Sequence, residues 1–304
     1  MTDQPDYQPY LAGAFRWRLA LRPLDLQHWI EFGEDYDNEM DAKKILFAQH
    51  PATVNANIPG SEDEAGEVLE NLVDFLVSTR PDWFRREGNE IVNHHRHERL
   101  TVSPDSAGQW HEHPLVICGR LIQEDLALLV ERDGQLVFGG GSVAFPNRWD
   151  LTSKLGLTMS EVHAPVDRLN DELQDPIDSF FNRLKPEKSF WRTGWGVLET
   201  DDLYQPVDGT AATSPGYPSV GDPTAGDRLF LRVERETIRR FPRTNCVLFT
   251  IRTYVRPLSH LVDRPNDAHR LADALANLPD DVRDYKRTTE LTEAAVHWLQ
   301  SVTS

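Results

Sequence analysis

Cysteine, long apolar runs and basic side chains are all scarce in this sequence. Its two cysteines, Cys118 and Cys246, are too few for a disulfide framework in a chain of this length, which favours a reducing cytoplasm. Both lie in apolar, strand-like runs, where we expect buried core residues. No apolar run approaches the ~20 residues that a membrane-spanning helix needs, and the start of the chain lacks the features of a secretory signal. We therefore expect a soluble, cytoplasmic protein with no membrane association.

Acidic residues outnumber basic residues by 49 to 32, so the formal net charge is −17. This balance argues against a general nucleic-acid binder, which needs a basic face, and favours cationic ligands and basic protein partners. A hydrophobic fraction of 39%, with 13 Phe and 8 Trp, is enough for a packed core and excludes wholesale disorder.

Signatures of nucleotide binding and of serine hydrolases are also missing. Gly139, Gly140 and Gly141 follow a strand-like run, but they lack the GxGxxG spacing and the P-loop lysine. We expect them to form a bulge or a tight bend. No G-x-S-x-G elbow occurs in the chain.

The apolar pattern predicts helices at both ends of the chain and mainly antiparallel strands between them. Asp133-Gly134 separates two apolar runs and predicts a hairpin within 126–145. Residues 205–227 are predicted to form a long loop. The other predicted strands are 190–199, a strand within 226–242 that turns helical before Pro242, and 245–257; the predicted helices are 37–50, 62–78, 149–162, 167–184 and two between 267 and 302.

This order of elements is typical of an α+β protein, because strands and helices do not alternate as they do in a doubly wound fold. We expect one domain over residues 1–304. It consists of an irregular, aromatic-rich arm over 1–35, an α+β core over 36–262 and C-terminal helices over 263–304.

Histidine is concentrated in one region, with five of the eleven between His94 and His113. Such a cluster could hold zinc, which would make the protein a zinc-dependent hydrolase. The alternating spacing of His111 and His113 and the polar residues around His94 favour a solvated strand face instead.

A single histidine, His163, ends a predicted helix of partly apolar character just before Pro165. An imidazole among apolar residues suits an axial metal ligand. It also suits a helix C-cap or a core histidine with satisfied hydrogen bonds, and the residues alone favour this second interpretation.

The run RVERETIRR is the densest group of charges in the chain. Along a strand, Arg232 and Glu234 share one face while Leu231 and Val233 take the other. A buried arginine needs a partner, so an inward-facing Arg232 would hold an anion such as a carboxylate; an exposed edge strand with charge pairs is the alternative. We expect Arg239–Arg240 to be solvated.

Four motifs follow one another with a specific order and spacing, within a resemblance that spans about Arg16 to Tyr254. They are GRLIQEDLALL (119–129), FPNRWDLTSKLG with SEVHAPV (145–166), RTGWG (192–196) and LRVERETIRRFPRTNCVLFTIRTY (231–254). In these motifs the chain resembles the haem-dependent oxidative N-demethylases, a family long described only as a domain of unknown function. It departs from the usual family pattern at Gly194, where the family has Asn, and at Glu236, where the family has Gln.

The resemblance implies a haem b enclosed by a PAS-like antiparallel sheet with helices around it. It also implies an oxidoreductase, a monooxygenase that demethylates a small, dimethylamine-like alkylamine with O2 and releases formaldehyde. The electrons would come from a separate flavin-containing reductase that uses NAD(P)H. A haem-PAS gas or redox sensor is the alternative, although no output segment of a sensor is evident.

The resemblance also implies roles for individual residues. His163 becomes the axial ligand of the iron, and Arg232 a distal or propionate-facing group. Three further residues stand at motif positions and are expected at the haem pocket as walls or salt links: Trp149, Lys154 and Trp195. Tyr204, which follows the RTGWG strand, is a candidate for the substrate side.

Overall fold

The computed structural model describes residues 6–13, 16–164, 169–207, 216–285 and 289–303. Its helices are α1 (Tyr36–Gln49), α2 (Pro51–Val54), α3 (Glu62–Thr79), α4 (Pro114–Gly119), α5 (Met159–His163), α6 (Leu169–Arg183), α7 (Ala225–Arg228), α8 (Pro265–Ala276), α9 (Asp280–Tyr285) and α10 (Thr289–Ser301). Its strands are β1 (Arg22–Pro23), β2 (Asn55–Asn57), β3 (Phe84–Glu87), β4 (Glu90–Asn93), β5 (Glu98–Thr101), β6 (Asp125–Arg132), β7 (Gln135–Ser142), β8 (Phe190–Leu198), β9 (Phe230–Arg240) and β10 (Val247–Pro257). The middle of the expected 205–227 loop and the turn at Pro165 lie outside the described residues.

The described strands form a large sheet and a small one. The large sheet has the order β1-β8-β9-β10-β6-β7-β2, and all of its neighbouring strands run antiparallel. The small sheet has the order β3-β4-β5 and is antiparallel as well. The expected mixture of helices with mostly antiparallel strands is therefore confirmed.

The hairpin of β6 and β7 turns at the predicted dipeptide. Asp133 and Gly134 both have positive φ angles, 52° and 77°, as a two-residue turn that matches the twist of the strands requires. Arg132 and Gln135 are the last paired residues on either side of the turn. The predicted hairpin is confirmed.

The glycine run forms a β-bulge within β7. Leu128 pairs with Gly140, but Leu129 pairs with Phe138, so Gly139 is an extra residue on this strand. A Cβ atom at Gly139 would lie 2.7 Å from Cγ1 of Val130. The expected bulge is confirmed, and the close packing of β6 explains why a side chain does not fit there.

Pairing across β8, β9 and β10 gives the large sheet two distinct faces, because residues opposite each other in an antiparallel pair point to the same side. We call the side with Arg192, Glu234 and Glu236 the front face. The other side, the back face, carries Leu231 and Val233, as the alternation predicted. The pairs that fix the front face are Arg192 with Glu236, Gly194 with Glu234 and Gly196 with Arg232.

Different helices cover the two faces. On the front face α5 and α6 pack against a cluster of buried residues that includes Leu129, Phe138 and Ile238. On the back face α3 packs under β6 and β10, while α8 and α10 pack with Val233 and Tyr254. Among the described helices, none has both the length and the apolar character needed to cross a membrane.

The end of β9 differs from the sequence-based prediction. Residues before Pro242 were expected to turn helical, but β9 continues to Arg240, which pairs with Val247 of β10. Pairing with a long partner strand overrides the local helical preference. The expected exposure of Arg239–Arg240 is also wrong, because Arg240 is only 8% exposed and the guanidinium of Arg239 lies 4.7 Å from the Trp29 ring centroid.

Both cysteines are free and fully buried, so the expectation that they belong to the core is confirmed. Cys118, however, lies in helix α4 and not in a strand. The helix begins at Pro114, and the ring of His113 accepts a hydrogen bond from the backbone N–H of Leu115. Pro at the first position and a capping side chain start a helix that the apolar run alone does not reveal.

Candidate functional site

His163 is held at the end of a short helix on the front face. The N-cap of α5 is Thr158, whose side chain accepts from the N–H of Glu161, while the Glu161 carboxylate accepts the N–H of Thr158 at 2.8 Å. This capping box stabilises a helix of only five residues, and Met159 and Val162 anchor it on the front-face cluster. The helix thus fixes the position of the imidazole of its last residue, His163.

The imidazole of His163 is largely buried and has an unused nitrogen. Among the described residues, Nδ1 of His163 is buried and has no hydrogen-bond partner. Burial lowers the pKa of His163 to about 4, and the positive charges of Arg192 and Lys154 lower it further, against a backbone hydrogen bond at Met159 that raises it. The ring is therefore neutral near pH 7, which is the state that binds metals.

The two cations near His163 are tied to the protein in different ways. Lys154 donates from Nζ to the carbonyl oxygen of Val162 at 3.1 Å, directly before the histidine. Arg192 of β8 donates from Nε to Oε2 of Glu236 at 2.8 Å. Lys154 therefore holds the end of α5 next to His163, and Arg192 contributes its charge from the sheet.

The front face is recessed next to Arg192 because β8 has glycines there. Residues 190–196 of β8 are all half-buried. A Cβ atom at Gly196 would have nothing within 4 Å, and one at Gly194 would meet only Oε1 of Glu236 at 3.6 Å and Oε2 of Glu234 at 3.9 Å. We call this open area, bounded by Gly194, Gly196, Glu234 and Glu236, the glycine recess.

The two carboxylates of the recess each have one oxygen bound and one oxygen free. Oε2 of Glu236 accepts from Arg192, and Oε1 of Glu234 accepts from Nε of Arg232 at 2.9 Å. The other oxygens, Oε1 of Glu236 and Oε2 of Glu234, have no partner among the described residues and are the ones nearest Gly194. Two hydrogen-bond acceptors therefore converge above this glycine.

Arg232 is buried and fully engaged by the protein. Besides its bond to Glu234, it donates to the carbonyl oxygens of Phe145 at 2.6 Å and Leu203 at 3.1 Å, and Nη2 lies 3.4 Å from Oγ1 of Thr253. The predicted pairing with a carboxylate is present, and the carboxylate belongs to the protein. Arg232 joins the strand to the segments that contain Phe145 and Leu203.

The remaining predicted site residues are spread over three places. Trp149 packs on the front-face cluster, where its ring lies edge-on to Phe138 with centroids 6.4 Å apart. Tyr204 follows Leu203 in the chain, and its ring stacks on His50 at 5.8 Å. Trp195 points to the back face, where it packs with Tyr10. The sheet thus separates Trp195 from His163, Lys154 and Trp149.

The histidines between His94 and His113 do not assemble a metal site in the described part of the chain. No group of three or more His, Cys, Asp or Glu side chains there is arranged to hold a metal ion. They also do not form the expected strand face: His94 and His97 lie in the turn between β4 and β5, while His95 stacks on Trp83 at 4.0 Å. His113 caps α4.

Arg192, Glu234 and Glu236 belong to the site and were not predicted as site residues. The signal was present in part, because Arg232, Glu234 and Glu236 alternate along β9 with the period of a strand. The approach of Arg192 to Glu236 depends on the register between β8 and β9. Gly194 and Glu236 both border the glycine recess.

A comparison with protein families gives one match over most of the chain. Residues 20–296 match the family described as haem-dependent oxidative N-demethylase, alpha subunit-like. The matched region includes α5, β8 and β9, and therefore His163 and the whole glycine recess. The chain belongs to the haem-dependent oxidative N-demethylase alpha subunit-like family, whose name describes haem-dependent oxidative chemistry.

Proposed function

We propose that this protein is a haem b-dependent monooxygenase that removes a methyl group from the nitrogen of a small, dimethylamine-like alkylamine. The reaction uses O2 and electrons from a separate flavin-containing, NAD(P)H-dependent reductase, and it releases formaldehyde. The observation that carries this proposal is the neutral imidazole of His163, whose Nδ1 has no partner among the described residues, on the same face of the sheet as an open recess. Membership of the family supplies the class of chemistry.

The residues on the front face fit a haem. A haem needs an axial donor, flat apolar surroundings and space for the macrocycle. His163 offers Nδ1 as the donor, and four apolar residues of the same region pack on the front-face cluster: Trp149, Leu155, Met159 and Val162. The glycine recess leaves space where side chains would otherwise stand. We propose that the large sheet binds the haem in the manner of a PAS-like sheet, with the haem on its front face.

A haem bound there would supply the oxidising power for the demethylation. The protein keeps His163 neutral, positions the amine and maintains the geometry of the site. Lys154 fixes the end of α5 through the Val162 carbonyl, and Trp149 forms an apolar wall. These contacts orient the imidazole before any ligand binds.

The glycine recess suits a protonated amine. An alkylammonium carries N–H donors, and the free oxygens of Glu234 and Glu236 converge above Gly194 as acceptors. The net charge of −17 favours the approach of a cation as well. Arg232 acts as a positioning residue in this proposal, because it orients Glu234 while it holds the backbone at Phe145 and Leu203.

Tyr204 and Trp195 have more distant roles in this proposal. Tyr204 lies in the segment that Arg232 holds through Leu203, so we assign it to the outer, substrate-facing side of the site. Trp195 supports β8 from the back face, where it packs with Tyr10.

The visible absorption spectrum of the purified protein, recorded before and after dithionite and CO, tests the proposal. We expect a Soret band in the wild type, because the protein would bind haem, and we expect its position to depend on His163, which would hold the iron. His163→Ala should lose the haem or shift the band, whereas His269→Ala, an exposed histidine on α8 with 63% of its side chain accessible, should leave the spectrum unchanged. Turnover of dimethylamine with O2 and a reductant should then release formaldehyde from the wild type.

Two results would contradict the proposal at different points. A wild-type protein that stays colourless when supplied with haem would end the whole assignment. A spectrum that His163→Ala leaves unaltered would remove His163 as the axial ligand while the haem itself remained.

A further inference from the structure

Arg192 is a charged residue of the front face that, among the described residues, uses only one of its three guanidinium nitrogens in a hydrogen bond. Its Nε donates to Oε2 of Glu236 at 2.8 Å, and about 32% of its side chain is accessible to solvent. Among the described residues, its Nη1 and Nη2 atoms have no partner. The outer edge of the guanidinium, with its parallel N–H groups, is therefore available to a ligand.

The position of Arg192 relates it to both His163 and the glycine recess. It precedes Gly194 on the same face of β8, since both pair with front-face glutamates of β9. Val162, the residue before His163, packs on the same front-face cluster as Phe190, which lies two residues before Arg192 on β8. A ligand that reaches from His163 along the recess therefore passes Arg192.

The other cations of this region are less suitable for an anionic ligand. Arg232 is 1% exposed and is engaged by Glu234 and two backbone carbonyls. Lys154 donates to the Val162 carbonyl and presents a single point charge. Only a guanidinium offers two parallel N–H groups that match the two oxygens of a carboxylate.

We propose that Arg192 binds a propionate carboxylate of the haem that His163 ligates, through its Nη1 and Nη2 atoms, while Glu236 holds the guanidinium in place. This inference rests on the proposed function. It assigns the haem a fixed direction on the front face, with one carboxylate at Arg192 and its iron at His163. Glu236 is a positioning residue in this arrangement, because it acts on the haem only through Arg192.

The experiment compares two haems that differ only at the carboxylates. Haem and haem dimethyl ester are titrated into the haem-free full-length protein, and dissociation constants are read from the Soret band. We expect the wild type to bind haem about 10- to 100-fold more tightly than the ester, the range for a charge-assisted hydrogen bond of roughly 1.5–3 kcal/mol. Arg192→Gln should bind the two with nearly equal affinity, and Arg192→Lys should retain an intermediate preference.

Matched variants separate this inference from the assignment of His163. His163→Ala should weaken both haems by the same factor and keep the preference, since the ligand to the iron is the same in both. Arg85→Gln, at an arginine of β3 with 70% of its side chain exposed, should behave as the wild type. Circular dichroism of each haem-free variant checks that the fold is retained.

Three outcomes would overturn the inference. Equal affinity of the wild type for haem and ester would do so while leaving the proposed function intact. A preference that survives in Arg192→Gln, or that disappears in Lys154→Gln instead, would assign the carboxylate to another residue. A wild type that binds neither haem would remove both the inference and the proposed function.

Discussion

Individual ionisable side chains in this protein owe their chemistry to burial. His163 is neutral because water is excluded from it and two cations lie nearby. Lys43 and Asp125 form a pair 3.4 Å apart that is almost fully buried, and Nη1 of Arg252 lies 2.6 Å from Oε2 of Glu39. Such groups persist only where partners compensate for lost hydration.

Glu124 is a buried carboxyl group whose loss of hydration is only partly compensated by hydrogen bonds. It is completely inaccessible, its Oε1 accepts the N–H of Glu31 at 2.8 Å, and its Oε2 has no partner among the described residues. Burial raises the pKa of Glu124 to about 7, although the charge of Arg252 opposes the rise. The folded protein therefore binds this proton more tightly than the unfolded chain does.

The pH dependence follows from that difference. Glu124 makes its full contribution to the free energy of unfolding below the unfolded pKa of about 4.3. This contribution is lost as the pH rises through the folded pKa of about 7. We expect Glu124→Gln to match the wild type near pH 4.5 and to exceed it at pH 8 by up to about 3 kcal/mol. Urea unfolding across this range measures the effect.

The control for this prediction is Glu187→Gln, at an exposed glutamate after α6. That variant should follow the wild-type curve at every pH. If the curves of wild type and Glu124→Gln run parallel from pH 4.5 to 8, the carboxyl titrates alike in the folded and unfolded states.

At the scale of elements, two strands use glycine for opposite reasons. In β7, Gly139 lets the bulge pack against Val130, whose Cγ atoms would lie 2.7 and 2.8 Å from an added Cβ. In β8, Gly196 leaves open space on the front face. The same substitution in the two strands should therefore have different consequences.

We expect Gly139→Ala to destabilise the protein by about 1–3 kcal/mol, because a methyl group overpacks a close-packed interior. Gly196→Ala should fold with unchanged or slightly higher stability, since alanine restricts the unfolded chain. Under the proposed function, however, its methyl group enters the recess and should weaken haem binding. Urea denaturation and Soret titration measure the two effects, and a Gly196→Ala protein with unaltered haem affinity would place the ligand away from β8.

At the scale of the whole molecule, both thiols report on global unfolding. Cys118 and Cys246 are fully buried in the cluster formed by α3, α4 and the back of the sheet. Burial raises the pKa of both thiols, that of Cys246 to about 12, so they are unreactive in the folded state.

Labelling with a thiol reagent as a function of urea should therefore follow the unfolding transition seen by circular dichroism. Both thiols should react together, because the cluster that contains them is continuous. Rapid labelling of one cysteine in the absence of urea would indicate a local opening of that cluster.

Features that depend on neighbouring residues could be predicted from the amino-acid pattern. The turn at Asp133-Gly134, the bulge at Gly139, the alternation of Arg232 and Glu234, and the family motifs around His163 all follow from short segments. In each case the cause is local: the φ angles of a turn, the two-residue period of a strand or the spacing of a motif. These rules gave the α+β class and the residue at the centre of the candidate site.

Contacts between distant residues depend on strand pairing and on the packing of helices against the sheet. Arg192 joins His163 because β8 pairs with β9 in one register and α5 packs on that face. The same register turns Trp195 to the back, and pairing with β10 extends β9 through Arg240, which the sequence pattern did not indicate. A one-residue change of register would reverse every one of these side chains, and no local pattern specifies which register the packed sheet adopts.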